Sequence, residues 1–452
     1  MMTERGLYMK IQLPSPVEQA IGRLNAAGYE AYAVGGCVRD SLMNRTPNDW
    51  DITTSATPEQ TRAVFDGVSV IETGIRHGTV TVLLDGQPLE ITTYRIDGSY
   101  SDSRHPDEVR FTASLKEDLA RRDFTVNALA YHPNAGIVDC FGGVEDLTQN
   151  IIRCVGEPDK RFTEDALRVM RGVRFASQLS FSLEPATEIS LRKHAPLLQK
   201  VAAERLRVEL MKLLCGPQVL KILLDFPHVL GQLIPELLPM VAFDQRTPYH
   251  IYDVYEHTVR SVAAVESEPV LRLTMLLHDI GKPCRFTVDE KGQGHFKGHG
   301  QVSVQMCKKI LPRLRFDKHT TERVLTLVKY HDVDLEPRAA LIKRWMNRLS
   351  PEAFFQLMKV KLADNAAQNP VYDRSDSYRE ILQMAQEILD REECFSLSSL
   401  AVNGDDLITL GIPAGKEIGE ALQFLLQAVI DEKCENDREQ LLKYCLKHRQ
   451  IP

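Results

Sequence analysis

The chain has 452 residues, room for about three domains. With 43% hydrophobic and 26% charged residues and a formal net charge of −7, it has the composition of an ordinary globular protein. That excludes disorder, collagen or coiled coil as the main architecture, and argues against coating nucleic acid through bulk charge.

The opening residues, MMTERGLYMKIQLPSP, carry charges with no apolar core behind them. No apolar run reaches the ~18–20 residues of a spanning helix. Neither a secretory signal nor a membrane partner is expected. Nine cysteines without a CxxC pair predict reduced thiols and a cytoplasmic protein.

From residue 16 to 139 the texture alternates. Residues 17–27 have helical spacing, while 31–34, 79–84, 89–94 and 137–141 read as strands. Asp85-Gly86 between two of these strands signals a hairpin, so a mixed or antiparallel sheet flanked by helices is expected. The polar stretch 97–107 (DGSYSDSRHPD) reads either as a solvated hairpin loop or as a mobile loop beside a site. From about Phe162 strands are expected to disappear. Helical spacing runs through 192–214, 255–265, 271–277, 302–314, 321–330 and 351–366, with two or three more helices between 405 and 446.

Four constellations carry chemistry in the first half. In AVGGCVRD a strand runs into Gly35-Gly36 and then a helix expected near Val38, with Arg39 in its first turn. Free N–H groups at a helix start suit an anion, and an anion would explain a cation placed there. A plain tight turn gives the same pattern. Next, Asp49 and Asp51 of NDWDI stand two apart, on one face of a strand, roughly 6–7 Å apart along the chain. Two such carboxylates repel unless a cation lies between them, and their hard oxygens suit Mg²⁺ with substrate phosphates; an exposed loop pair is the alternative, which the Gly-Gly/Arg turn a dozen residues earlier disfavours. In LARRDFTVNAL, the adjacent Arg121 and Arg122 can clamp phosphate or sugar oxygens, and Asp123 and Asn127 would share one helical face; a surface helix with an Arg-Asp pair gives the same pattern.

The fourth is EDALRVMRGVRF, with Arg168, Arg171 and Arg174 every three residues behind Asp165. Asp165 and Arg168 read either as a salt bridge or as a base selector. Cytosine and adenine both present an amine beside a ring-nitrogen acceptor, which a carboxylate and a guanidinium satisfy together. Uracil and guanine present the reverse pattern and would leave groups unpaired.

In order and spacing, GGCVRD, DWD, RRDFTVNALA and EDALRVMRGVRF resemble the signatures of the class II tRNA nucleotidyltransferases, the CCA-adding enzymes and their poly(A) polymerase relatives. The resemblance is close over residues 34–175 and looser to 214. It implies an α/β polymerase-β-like nucleotidyltransferase head followed by a long all-α body. It also implies Mg²⁺ on Asp49 and Asp51, nucleotide contacts from Gly35, Gly36, Arg39, Arg122, Asp123 and Asn127, and base selection by Asp165 and Arg168 supported by Arg171 and Arg174. The loop 97–107 would be the family's flexible loop.

Later in the chain, His257, the pair His278-Asp279 and Asp364 stand on predicted helices, in YEHTV, LLHDIGK and KLADNAA. Imidazole and carboxylate suit a divalent transition metal held between helices. HDIGK resembles the HD-domain phosphohydrolases, over residues 249–368, and His299 and His331 fall where two-metal members place further ligands. The alternative is an HD fold kept only as scaffold.

These readings imply four parts: a head at 16–150, a helical neck at 151–245, an HD domain at 246–370 and a tRNA-binding region at 371–452. The expected function is template-independent CCA addition to tRNA from CTP and ATP. A local basic track, with twelve Lys/Arg against eight Asp/Glu over 153–212, suits the tRNA backbone. The alternatives are a poly(A) polymerase, an enzyme adding only the terminal A, a nucleotide phosphohydrolase dominated by the HD site, or an RNA-binding protein without catalysis. A mixed-charge tail and the retention of both aspartates weigh against the first and the last.

Overall fold

The computed structural model describes residues 10–72, 74–75, 78–97 and 109–448. Past Asp97, the polar stretch 97–107 lies outside the described residues. The chain forms two compact units, Met1–Pro235 and Glu236–Pro452.

Nine strands belong to the head: β1 (Ala31–Val34), β2 (Asp51–Thr54), β3 (Val70–Ile71), β4 (Thr79–Leu84), β5 (Gln87–Thr93), β6 (Arg95–Asp97), β7 (Val109–Phe111), β8 (Leu129–His132) and β9 (Gly136–Asp139). Seven make one mixed sheet in the order β3-β4-β5-β2-β1-β8-β9, while β6 and β7 pair separately. Only β2 and β5 run parallel within the large sheet. The β4–β5 hairpin forms at the expected turn. Asp85 and Gly86 both take positive φ (49° and 76°), the geometry that matches strand twist in a two-residue loop.

Helix α1 (Ser15–Ala26) lays Val17, Ala20, Ile21 and Leu24 against the sheet at helical spacing, joining Ile52, Val80, Ile91 and Leu129 in one core. Helix α2 (Gly36–Leu42) starts two residues earlier than expected, directly from the glycine pair. Helices α3 (Pro58–Val64), α4 (Leu115–Ala120) and α5 (Gly143–Gln149) complete the head. The neck holds α6 (Pro158–Glu164), α7 (Leu167–Leu179), α8 (Pro185–His194), α9 (Ala203–Leu214), α10 (Val219–Asp225) and α11 (Pro227–Leu233).

Three expectations are corrected. Strands do not vanish after Phe162: Ser182–Leu183 pairs in parallel with Ile151–Ile152, and Thr287–Val288 pairs with Gly294–His295. The run 192–214 is two helices, because Pro196 opens a 3₁₀ turn over Ala195–Lys200 between α8 and α9. EDALRVMRGVRF is likewise split, since Asp165 is extended (φ −133°, ψ 104°) between α6 and α7.

The second unit is nearly all helix: α12 (Val254–Ala264), α13 (Pro269–Leu277), α14 (His299–Arg313), α15 (Lys318–Tyr330), α16 (Ala339–Leu349), α17 (Pro351–Ala366), α18 (Ser375–Asp390), α19 (Gly404–Thr409), α20 (Lys416–Ile430) and α21 (Arg438–His448). Helix α13 is buried all round from Leu271 to Leu277, which makes it the central helix of its bundle. None of the described helices is long and apolar enough to cross a membrane.

Candidate active site and candidate metal centre

One cleft of about 820 Å³ in the first unit is lined by all twelve residues singled out in the head and neck. β1 delivers the glycine pair, the start of β2 delivers Asp51, and α7 delivers the arginines. Gly35 has φ +84°, and a Cβ there would lie 2.9 Å from Arg122 Nη1. The glycine is needed twice, for its backbone and for the guanidinium packed against it. Arg39 is buried in the first turn of α2, donating to Asn127 Oδ1 (2.6 Å) and Asp40 Oδ1 (2.8 Å).

Asp49 and Asp51 form no hydrogen bond or ion pair through their carboxylates among the described residues. Water reaches Asp51, yet the cleft crowds it. Loss of solvation and the neighbouring Asp49 push its pKa up to about 6 against the opposing pull of Arg122. A pair of carboxylates with that strain and open oxygens fits a hard divalent cation.

Asp123 and Asn127 meet at 3.1 Å, but not on a helix: α4 has ended, and only a 3₁₀ turn spans Thr125–Asn127. Burial opposes the charge on Asp123, and Arg171 with Asn127 outweighs it, leaving a pKa of about 2. Arg174 pairs with Glu209 (2.6 Å) and lies over the Phe175 ring at 3.6 Å.

Asp165 and Arg168 do not form the i, i+3 bridge. Arg205 of α9 donates to Asp165 at 2.9 Å, and Asp165 accepts the Leu167 N–H. Arg168 is instead held by Glu164 (2.8 Å) and by the carbonyls of Arg161 and Arg121. Each half of the pair is thus fixed by a different neighbour, which leaves the two free to face a third group together. Sequence reasoning missed these supports, along with buried Asp118, which braces Arg121 (2.7 Å) and Arg122 (3.6 Å). Arg205 carried a signal only as one of the basic residues in the helical run.

In the second unit, α12 carries His257, the end of α13 carries His278 and Asp279, and the last turn of α17 carries Asp364. These four place ligand atoms within 4.8 Å of one another, and Asp279, His299 and His331 do the same. Gly281 makes the close approach possible, since a Cβ there would meet the His299 carbonyl at 2.7 Å.

All four imidazoles turn Nδ1 to a backbone carbonyl: His257 to Ala367 (3.1 Å), His278 to Met275 (2.7 Å), His299 to Phe296 (2.9 Å) and His331 to Val328 (2.7 Å). A carbonyl only accepts, so Nδ1 carries the proton and Nε2 points a lone pair inward. His299 and His331 then bring two lone pairs within 3.1 Å, and His257 Nε2 faces Asp364 Oδ1 at 2.9 Å. His278 Nε2 likewise faces Asp279 Oδ2 at 3.2 Å, with both groups buried. A cation would resolve these conflicts, so the donor set fits a divalent metal centre, with Asp279 common to both groups. Without one, protons must serve. Burial opposes charge on His278, but Asp279 and Asp364 outweigh it and push its pKa up to about 10. Two partners went unread in the sequence. Lys282 pairs with Asp279 at 2.6 Å, and Gln368 donates to Asp364 at 3.0 Å.

A mixed sheet that sets two carboxylates beside a glycine-started helix, facing a wall of arginines, defines a polymerase-type nucleotidyltransferase. Residues 31–153 match the model of the poly A polymerase head domain, 180–240 a probable RNA- and SrmB-binding site of polymerase A, and 300–445 a putative tRNA nucleotidyltransferase domain 2. The chain is 34% identical to the CCA-adding enzyme of Enterococcus faecalis over 97% of both proteins. It belongs to the CCA-adding enzyme family. It is also 50% identical to the Limosilactobacillus reuteri enzyme over 222 residues, a match covering 48% of this chain and 55% of that enzyme, about half of each. The solved structure of the Bacillus stearothermophilus CCA-adding enzyme in complex with CTP is similar, with a TM-score of 0.72 and 30% identity, over 96% of this chain and 98% of that one.

Proposed function

We propose that this chain adds CCA to the 3′ end of tRNA from CTP and ATP, without a nucleic-acid template. The observation that carries this is the single cleft holding an unneutralised carboxylate pair and a separately braced Asp165 and Arg168. Asp49 and Asp51 are its metal ligands. Mg²⁺ there supplies charge neutralisation for the triphosphate and a more acidic 3′-hydroxyl. The 3′ oxygen forms a bond to the α-phosphorus, and the bond to the β-phosphate bridging oxygen breaks, releasing pyrophosphate. Arg39, Arg122 and the N–H at Gly36 hold the nucleotide, and Gly35 shapes the turn that lets it approach, its own N–H being spent on the Leu129 carbonyl. Asp165 accepts from the amine of cytosine or adenine while Arg168 donates to the ring nitrogen, and Arg171 and Arg174 fix that wall.

The four-part division read from the sequence, with tRNA held by the neck and by 371–452, accompanies this proposal, as does a cytoplasmic location. The test is direct. Protein incubated with tRNA lacking its 3′ end and each labelled nucleotide in turn incorporates C, then A, and neither U nor G. Incorporation of A alone on an end lacking all of CCA would point to the poly(A) or A-only readings.

The inward lone pairs favour a second activity: HD-type hydrolysis of phosphoesters at a divalent transition-metal centre of His257, His278, Asp279 and Asp364, extended by His299 and His331. A metal there supplies an acidic water near neutral pH. Its substrates are 2′,3′-cyclic or terminal phosphates that block a tRNA end. Hydrolysis of such phosphates by the purified protein, assayed with Mg²⁺, Mn²⁺, Ni²⁺ and Co²⁺ in turn, tests it.

A further inference from the structure

The cavity above the histidine centre is about 330 Å³, room for one nucleotide and not for a folded chain. Asp279, His299, His331 and Asp364 line it together with Lys282, Lys297 and Tyr249, and Asp332 is an opposing charge. Two loops at its mouth are stapled together. The Asn369 N–H donates to the Tyr249 carbonyl, and its side-chain amide donates to the Pro248 carbonyl, both at 2.8 Å. The staple sets Tyr372 edge-on against Tyr249, with ring centroids 4.6 Å apart and planes at 61°.

These rings do not fill a core. Tyr249 is 49% and Tyr372 40% exposed, although both sit on rigidly paired backbone. A large ring held in place and left in water has already lost the freedom that binding would remove, so stacking on it is favourable. Lysines beside metal-ligating residues suit a phosphate, and a braced flat ring at the mouth suits a nucleobase. A sugar phosphate would leave the ring bare, and an alkyl phosphoester would need no flat face.

We propose that Tyr249, braced by Tyr372, is a stacking platform for the unpaired base of a nucleotide whose phosphoester reaches the histidine centre. This rests on the phosphoester reading of that centre. The ligand is either a free nucleotide or the last nucleotide of an RNA, which share this chemistry.

The test uses the full-length protein with Mn²⁺. It is irradiated with 5-iodouridine 3′-monophosphate and, separately, with an RNA oligonucleotide ending in 5-iodouridine 3′-phosphate, and adducts are mapped by mass spectrometry. An adduct on Tyr249 or Tyr372 is expected. Its presence in both arms identifies the nucleotide itself as sufficient, and its presence only with RNA identifies a chain end. No adduct within 247–251 or 370–373 in either arm overturns the platform, whatever the head binds. In kinetics, Tyr249→Ala raises KM for a nucleoside 2′,3′-cyclic phosphate about tenfold with kcat nearly constant, and Tyr249→Phe restores it. An unchanged KM in Tyr249→Ala also overturns the proposal. If the wild type hydrolyses nothing with any metal while the adduct persists, the phosphoester reading falls and the platform stands.

Discussion

Arg171 closes on Asp123 with two guanidinium N–H groups, Nε at 2.7 Å and Nη2 at 2.6 Å, joining α7 to the turn that follows α4. The carboxylate is buried, and its pKa of about 2 lies below the ~3.9 of an unfolded aspartate. A depressed carboxylate stabilises the fold above the unfolded pKa, and that contribution is lost as pH falls toward 2. Arg171→Ala leaves the buried charge uncompensated and is expected to cost about 3 kcal/mol. Urea midpoints should show a constant gap from wild type between pH 8 and 5, narrowing below about pH 4.

Asp51 has the opposite sign. Its folded pKa, about 6, lies above the unfolded value, so without a cation its ionisation opposes folding as pH rises through that range. A divalent ion relieves this only when the carboxylate is ionised. Mg²⁺ should therefore raise the melting temperature more at pH 7.5 than at pH 5, and Asp51→Asn should abolish the difference. Asp49→Ala or Asp51→Ala should lower nucleotide addition about a thousandfold or more, with tRNA binding little changed. Equal Mg²⁺ shifts at both pH values would contradict the assignment.

What the sequence revealed follows from how local each signal is. The hairpin at Asp85-Gly86 and helix α17 were legible because a turn dipeptide and an apolar period are written within a few residues. Strand β8 was not read, since the four residues LAYH carry too little alternation and their partners decide them, and the strand expected to carry both Asp49 and Asp51 begins only at Asp51. In the site, the chemistry-bearing side chains were readable as short motifs, and twelve of them share one cleft. Their braces were not. Arg205 lies 40 residues from Asp165, and Asp118 is an ordinary acidic residue on a short helix until folding buries it. The alternative reading, an Asp165–Arg168 bridge, is not realised because the helix breaks between them and Arg205 and Glu164 hold one each.

That separate bracing makes a distinguishing prediction. Removing Asp165 or Arg168 should reduce the rate with CTP and ATP and also raise the relative use of UTP and GTP, since the site then has no buried group left unpaired by the wrong base. Arg205→Ala removes no base contact but frees Asp165, so it should relax discrimination while leaving most of the rate. Single-nucleotide incorporation with all four triphosphates measures this. Discrimination unchanged in Asp165→Ala would rule out the selector.

Gly35→Ala tests the glycine turn. A side chain at φ +84° costs about 1–2 kcal/mol of backbone strain, and its Cβ would press on Arg122. Gly36 has no such constraint, because a Cβ there meets Arg39 only at 3.7 Å. Nucleotide addition should fall at least about tenfold in Gly35→Ala and much less in Gly36→Ala, measured as kcat/KM for CTP. Equal losses would mean that the glycines serve backbone approach to phosphate rather than the packing of Arg122.

The histidine centre should separate from the head, because it draws on different residues and a softer metal. His278→Ala combined with Asp279→Ala removes the carboxylate common to both groups and one inward lone pair. Hydrolysis of cyclic phosphates should disappear and bound transition metal should fall, while CCA addition stays near normal provided thermal unfolding shows an intact fold. Metal loading should itself depend on pH. His278 holds a proton to about pH 10 when no cation is present, and His257 and His299 are also raised. A metal must displace those protons, so affinity should climb as pH rises through the neutral range, and binding should release protons that calorimetry in buffers of different ionisation heat can count. Metal affinity independent of pH, or no metal in the purified protein and no hydrolysis with any of the four ions, would leave these histidines as scaffold.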